Sequence, residues 1–80
     1  EIFGTREQCQ RVLAQLRRLK PELQVAFVLR HVEGLGYDEI AELVGARAPA
    51  VAARVKTAER TLIDRLAQEE ARADRKGSST

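Results

Sequence analysis

Apolar residues recur along the chain at steps of three and four. No stretch alternates apolar with polar for long enough to make a strand, so the whole chain reads as helix. Thr5 followed by Gln8 has the form of a capping box, in which hydroxyl and amide each satisfy an otherwise unpaired backbone N–H, and it sets the start of the first helix. Cys9, Val12, Leu13, Leu16 and Leu19 then form one apolar stripe, with Cys9 read as a buried small side chain. Pro21 opens a second helix, because its missing N–H would find no partner in the first turn anyway. Leu23, Val25, Ala26, Phe27, Val28, Leu29 and Val32 make that helix apolar on more than one face, which predicts the central helix of the core. Gly34 ends it, since glycine accepts the left-handed conformation of a helix C-terminus.

A short third helix is expected over about Asp38 to Val44, with Asp38 and Glu39 at its positive end and Ile40, Ala41, Leu43 and Val44 facing inward. Gly45 breaks it. After the turn Gly45-Ala46-Arg47-Ala48, Pro49 opens a longer fourth helix whose inward stripe is Val51, Val55, Ala58, Leu62 and Leu66, with Ile63 beside it. The stripe stops at Leu66, although alanines keep helix propensity high for a few more turns. The expected organisation is a linker end and helix start over 1–8, a folded domain over 9–66, and a charged, partly disordered tail over 67–80. The fold class is all-α, a small four-helix bundle. Ala41 permits close approach, Gly45 supplies the turn and Val51 anchors the longer helix, so the third and fourth helices match a helix-turn-helix.

Composition narrows the function. Apolar residues at 44% and charged residues at 32% suit a single small globular domain. The longest apolar run, Val25 to Leu29, falls far short of the ~20 residues that span a bilayer. One cysteine cannot form an internal disulfide, and nothing points to an oxidising compartment. One histidine, no metal-ligand cluster and no glycine-rich phosphate loop leave little raw material for catalysis, so the chain is read as a non-enzyme without cofactor. The chain opens on Glu1, which reads as a piece of something longer. Its net charge of +2 conceals a pattern: residues 1–20 sum to +3, 21–45 to −4, 46–66 to +3 and 67–80 to zero. The basic third segment offers a face for phosphate.

The stretch from Leu16 to Gly45 closely resembles region 4 of bacterial sigma factors, and its nearest branch is the extracytoplasmic-function group. The resemblance rests on Leu19 with Pro21, Phe27-Val28-Leu29-Arg30, Glu33-Gly34-Leu35, Tyr37-Asp38-Glu39-Ile40-Ala41, then Leu43, Gly45 and Val51; it covers about Val12 to Leu66. It implies a bacterial cytoplasmic, nucleoid-associated domain that directs RNA polymerase to initiate transcription. The last helix would enter the major groove of the −35 promoter element. Other surfaces would dock on the flap of the polymerase β subunit or be covered by an anti-sigma factor. A preceding −10-binding region would join through a linker ending near Gly4. Arg30 and the start of the third helix around Tyr37 would hold phosphates, with Arg47, Arg54, Lys56 and Arg60 supplying positive charge around the fourth helix.

The recognition helix departs from its relatives. The hydroxyl expected near its cap is Ala48, the Thr, Lys and Ser positions are Ala50, Ala52 and Ala53, and two basic positions are Thr57 and Glu59. Alanine can touch a thymine methyl but cannot donate to guanine, and a side chain unable to make a bidentate bond to its base forgoes about 1–3 kcal/mol of discrimination. Glu59 would repel phosphate if it faced the DNA backbone. Several residues therefore carry two readings. Arg54 and Lys56 contact DNA or form solvated surface. Arg30 holds phosphate or pairs with an acidic neighbour. Tyr37 touches phosphate or packs at the start of its helix. His31 is read as an exposed helix residue, and Val32 and Leu35 as core, with a partner-facing apolar patch as their second reading. The alternative function is an interaction module that binds DNA weakly or not at all, its alanine-rich helix packed on an anti-sigma factor, on RNA polymerase or on its own chain. Salt separates the two, because phosphate-driven binding falls steeply with salt and apolar docking barely responds.

Overall fold

The computed structural model describes the backbone of residues 6–78 and the side chains of residues 6–72. It contains four helices: α1 Arg6–Arg17, α2 Pro21–His31, α3 Tyr37–Val44 and α4 Ala48–Ser78. The fold is the all-α bundle expected, and none of these helices is long and apolar enough to cross a membrane. The Thr5 cap lies outside the described residues.

Each corner has a local cause. The end of α1 tightens through N–H to O=C bonds from Arg18 to Gln15 and from Leu19 to Leu16, both 3.1 Å. The Gln24 amide then donates to the carbonyls of Leu19 (2.7 Å) and Arg17 (3.1 Å), satisfying acceptors that the helix end leaves open. Helix α2 stops at His31, and Gly34 turns the chain three residues later at φ 74°. Leu35 N–H closes that turn on the Leu29 carbonyl at 3.0 Å. Glu39 accepts from Gly36 N–H at 2.8 Å, tying down the start of α3. At the other end Gly45 takes φ 71°, and Ala46 N–H reaches back to the Ala41 carbonyl at 3.0 Å, a Schellman closure. Helix α4 begins at Ala48, one residue before Pro49, which its first turn tolerates because that N–H needs no acceptor.

The core divides into two clusters joined by α4. Leu16, Leu19 and Phe27 pack on Ala58 and Leu62; Ala26, Ile40 and Ala41 pack on Val51 and Val55. Because α1, α2 and α3 all pack on α4, the central helix is α4 and not α2 as the apolar count suggested. Helix α2 buries only Ala26 and Phe27, with Val25 exposed and Val32 60% exposed. Leu35, in contrast, packs against the second cluster as expected.

Other inward assignments were too wide. Leu13 and Leu43 are exposed, Cys9 and Leu66 are only half-buried, and Ile63, expected beside the stripe, is exposed. The reason is geometric. A short helix that leans on few neighbours buries a narrow stripe, so α3 covers Ile40 and Ala41 and leaves Leu43 in water. As the alanines beyond Leu66 suggested, the helix runs on past the buried stripe, to Ser78.

These differences predict a stability series measurable by chemical denaturation. Ile40→Ala, at a site with no exposure, should cost about 2–5 kcal/mol. Gly45→Ala should cost about 1 kcal/mol from backbone strain alone, since a Cβ there would meet no atom within 4 Å. Leu43→Ala, at an exposed site, should stay within about 0.5 kcal/mol of the parent.

Candidate nucleic-acid interface

The buried stripe of α4 dictates its outer face. With Val51, Val55, Ala58 and Leu62 inward, the 100° step per residue turns Ala53, Lys56, Thr57 and Arg60 outward, and all four are exposed. Arg47, in the turn just before the helix, is exposed as well. Pro49 and Ala50 complete a first turn with little side-chain bulk. The outward face is thus a low surface carrying two cations and a hydroxyl, set immediately after the α3–turn–α4 corner. Such a surface lets a helix approach a nucleic-acid groove closely while its basic groups reach the flanking phosphates.

The flanks behave differently. Ala52 and Arg54 are both half-buried at the edges of the outer face. Arg54 Nε lies 3.8 Å from Glu22 Oε2 at the start of α2, a loose and solvent-open pair that adds little stability. Glu59 turns back toward α2, where its Oε2 lies 2.5 Å from His31 Nε2, while the His31 ring sits 4.6 Å from the Phe27 ring. The carboxylate that threatened to repel phosphate is therefore paired with His31 on the flank of the bundle. His31 is exposed, as expected, and also joins α2 to α4. Sequence spacing gave no sign of this pair, because 28 positions separate its members.

Arg30 and Tyr37 form one unit across the α2–α3 loop. Arg30 Nη1 donates to the Leu35 carbonyl at 3.1 Å, and its guanidinium lies 4.9 Å from the centre of the Tyr37 ring. The acidic partner considered for Arg30 is not what holds it. Tyr37 is half-buried and packs against the Ile40 cluster, so its ring secures the start of α3. Arg30 remains exposed, with further guanidinium donors beyond the one the loop uses.

A second surface was missed by the sequence reading. Val12, Phe27, Leu62, Ile63 and Leu66 line an open apolar groove of about 340 Å³ between α1, α2 and α4, with His31 and Glu59 at its edge. Ile63 is 65% exposed there. Only its unexpected apolarity on a flank of α4 could have signalled the groove from sequence.

The family model for sigma-70, region 4, matches residues 9–62, which contain α2, α3, the turn and the outward face of α4. No curated protein and no solved structure matches the chain significantly. The match covers more than half of the chain and coincides with the helix-turn-helix, and region 4 is a DNA-binding regulatory domain of promoter recognition. The chain belongs to the sigma-70 region 4 family.

Proposed function

We propose that this domain recognises the −35 promoter element within an extracytoplasmic-function sigma factor, in the bacterial cytoplasm, and that it does so with few polar base contacts. The observation that carries this reading is the outward face of α4, where Lys56, Thr57 and Arg60 stand exposed around Ala53 directly after the helix-turn-helix corner. Lys56 and Arg60, with Arg47 before the helix, hold phosphates on either side of the major groove. Ala53 and Thr57 meet base edges, Ala53 through apolar contact with a thymine methyl and Thr57 through its hydroxyl. Ala52 lies at the margin of that contact. Arg54 exchanges its loose Glu22 pairing for a phosphate or base, and Arg30 and the Tyr37 hydroxyl hold the backbone at the start of α3.

Polymerase docking falls to the apolar groove. Its open apolar walls suit an amphipathic helix such as the flap would offer, and an anti-sigma factor covering the same groove would compete with it. The groove also favours the second reading, an interaction module with little DNA binding. The folded unit for both readings is residues 9–66 with α4 continuing beyond it.

Two measurements test these assignments. Binding to duplex selected from a randomised pool should weaken steeply with salt, and Lys56→Ala or Arg60→Ala should each flatten the log–log salt slope by about 0.9. A flat slope for the parent, or no enriched motif, would move the function to the interaction reading. Ile63→Asp should lower binding to core RNA polymerase by about tenfold or more, the cost of a charge in an apolar contact, and leave duplex binding by the isolated domain unchanged.

A further inference from the structure

The charged segment expected to be a solvated tail forms a cleft with α1. Gln15 and Arg18 on the α1 side face Arg65, Gln68, Glu69 and Arg72 of α4 around a space of about 190 Å³. Three guanidiniums against one carboxylate give this lining a charge of +2. The carboxylate is already committed, because Glu69 Oε1 accepts from Gln15 Nε2 at 2.5 Å. The described ion pairs, His31–Glu59 and Arg54–Glu22, lie elsewhere and do not use the three arginines.

Two atoms here want partners. Gln15 is 6% exposed, and its Oε1 is buried with no hydrogen bond among the described residues. Arg65 Nη1 is buried and equally unpartnered. A charged donor and a neutral acceptor left open in one cleft are costly unless something supplies both halves. Arg65 and Arg72 also lie beyond the residues that match the family, and neither falls on the outer face of α4 assigned to DNA.

We infer that the α1–α4 cleft of Arg18, Arg65, Arg72 and Gln15 binds a phosphate that keeps a P–OH, either inorganic phosphate or the monoanion of a small monoester. The oxyanion oxygens accept from the guanidiniums, which suit that geometry better than ammonium groups do. The remaining P–OH donates to Gln15 Oε1. Sulfate at neutral pH lacks that proton, and a nucleic-acid phosphodiester lacks it too, so both leave Gln15 Oε1 open. Side-chain adjustment at Arg18 and Arg72, both exposed, admits the ion to the buried Arg65 nitrogen.

The test is a titration of the ¹⁵N-labelled 80-residue chain at constant ionic strength, following arginine Nε–H and glutamine side-chain amide resonances. Inorganic phosphate and ribose 5-phosphate are run in parallel arms at about pH 6, where a large fraction of the monoester keeps its P–OH, and the tighter of the two identifies the source. The expected result is saturable shifts at Arg18, Arg65, Arg72 and Gln15, with sulfate about tenfold weaker because one buried acceptor stays unpaired. Arg65→Gln combined with Arg72→Gln should weaken phosphate by at least tenfold; Arg18→Gln with Arg72→Gln, which changes only exposed positions, serves if the first pair perturbs the fold. Lys56→Ala with Arg60→Ala should leave the phosphate titration unchanged, so failure of the promoter assignment is read separately. Absence of saturation, shifts that survive the cleft substitutions, or a short duplex shifting these resonances while both small phosphates do not, would overturn the inference.

Discussion

One stripe of α4 carries the whole bundle. Val51, Val55, Ala58 and Leu62 are each at most 4% exposed, and side chains from the other three helical segments close on them. Burial on this scale is the main favourable term available to a small domain with no disulfide. Once those four positions are committed inward, the helical repeat leaves no choice about which residues face out. The surface proposed for DNA is therefore a consequence of the core, and a change in the angle at which α3 or α2 meets α4 would shift it.

The same constraint explains why the corner at Gly45 matters beyond its own turn. Its left-handed backbone and the Ala46-to-Ala41 closure set where α4 begins relative to α3. Ala41, small and 7% exposed, lets α3 lie close to Val51 and Val55. Arg30 and Tyr37 brace the other end of α3 through the loop carbonyl of Leu35. The helix-turn-helix is thus held at both ends by backbone bonds and packing, while the outer turns of α4 are free to meet a partner.

The long reach of α4 divides the surface by chemistry. Its first turns present small and basic groups, its middle contributes Ile63 to an apolar groove, and the stretch from Arg65 to Arg72 lines a polar cleft with α1. Glu59, which looks misplaced on a helix proposed to read DNA, belongs on the flank where it meets His31. Three neighbouring surfaces on one rod can engage different partners without competing for the same side chains.

Much of this was legible in the order of residues. Helix positions followed from apolar spacing, proline and glycine, and the Glu33-to-Gly45 block carried the family resemblance, because these signals are local to one or two turns of backbone. The inward stripe of α4, from Val51 to Leu62, followed from the same repeat. What spacing could not supply was which helix stands at the centre, since α2 has the richer apolar run yet α4 touches everything. Nor could it supply the partners of Glu59, Arg30 and Gln15, or the exposure of Leu43 and Ile63. Those depend on how helices cross, and a crossing brings together side chains up to 54 positions apart that no local pattern relates. Sequence determined the helices and the face each one favours; tertiary packing decided how wide each buried stripe is and which polar groups meet across it.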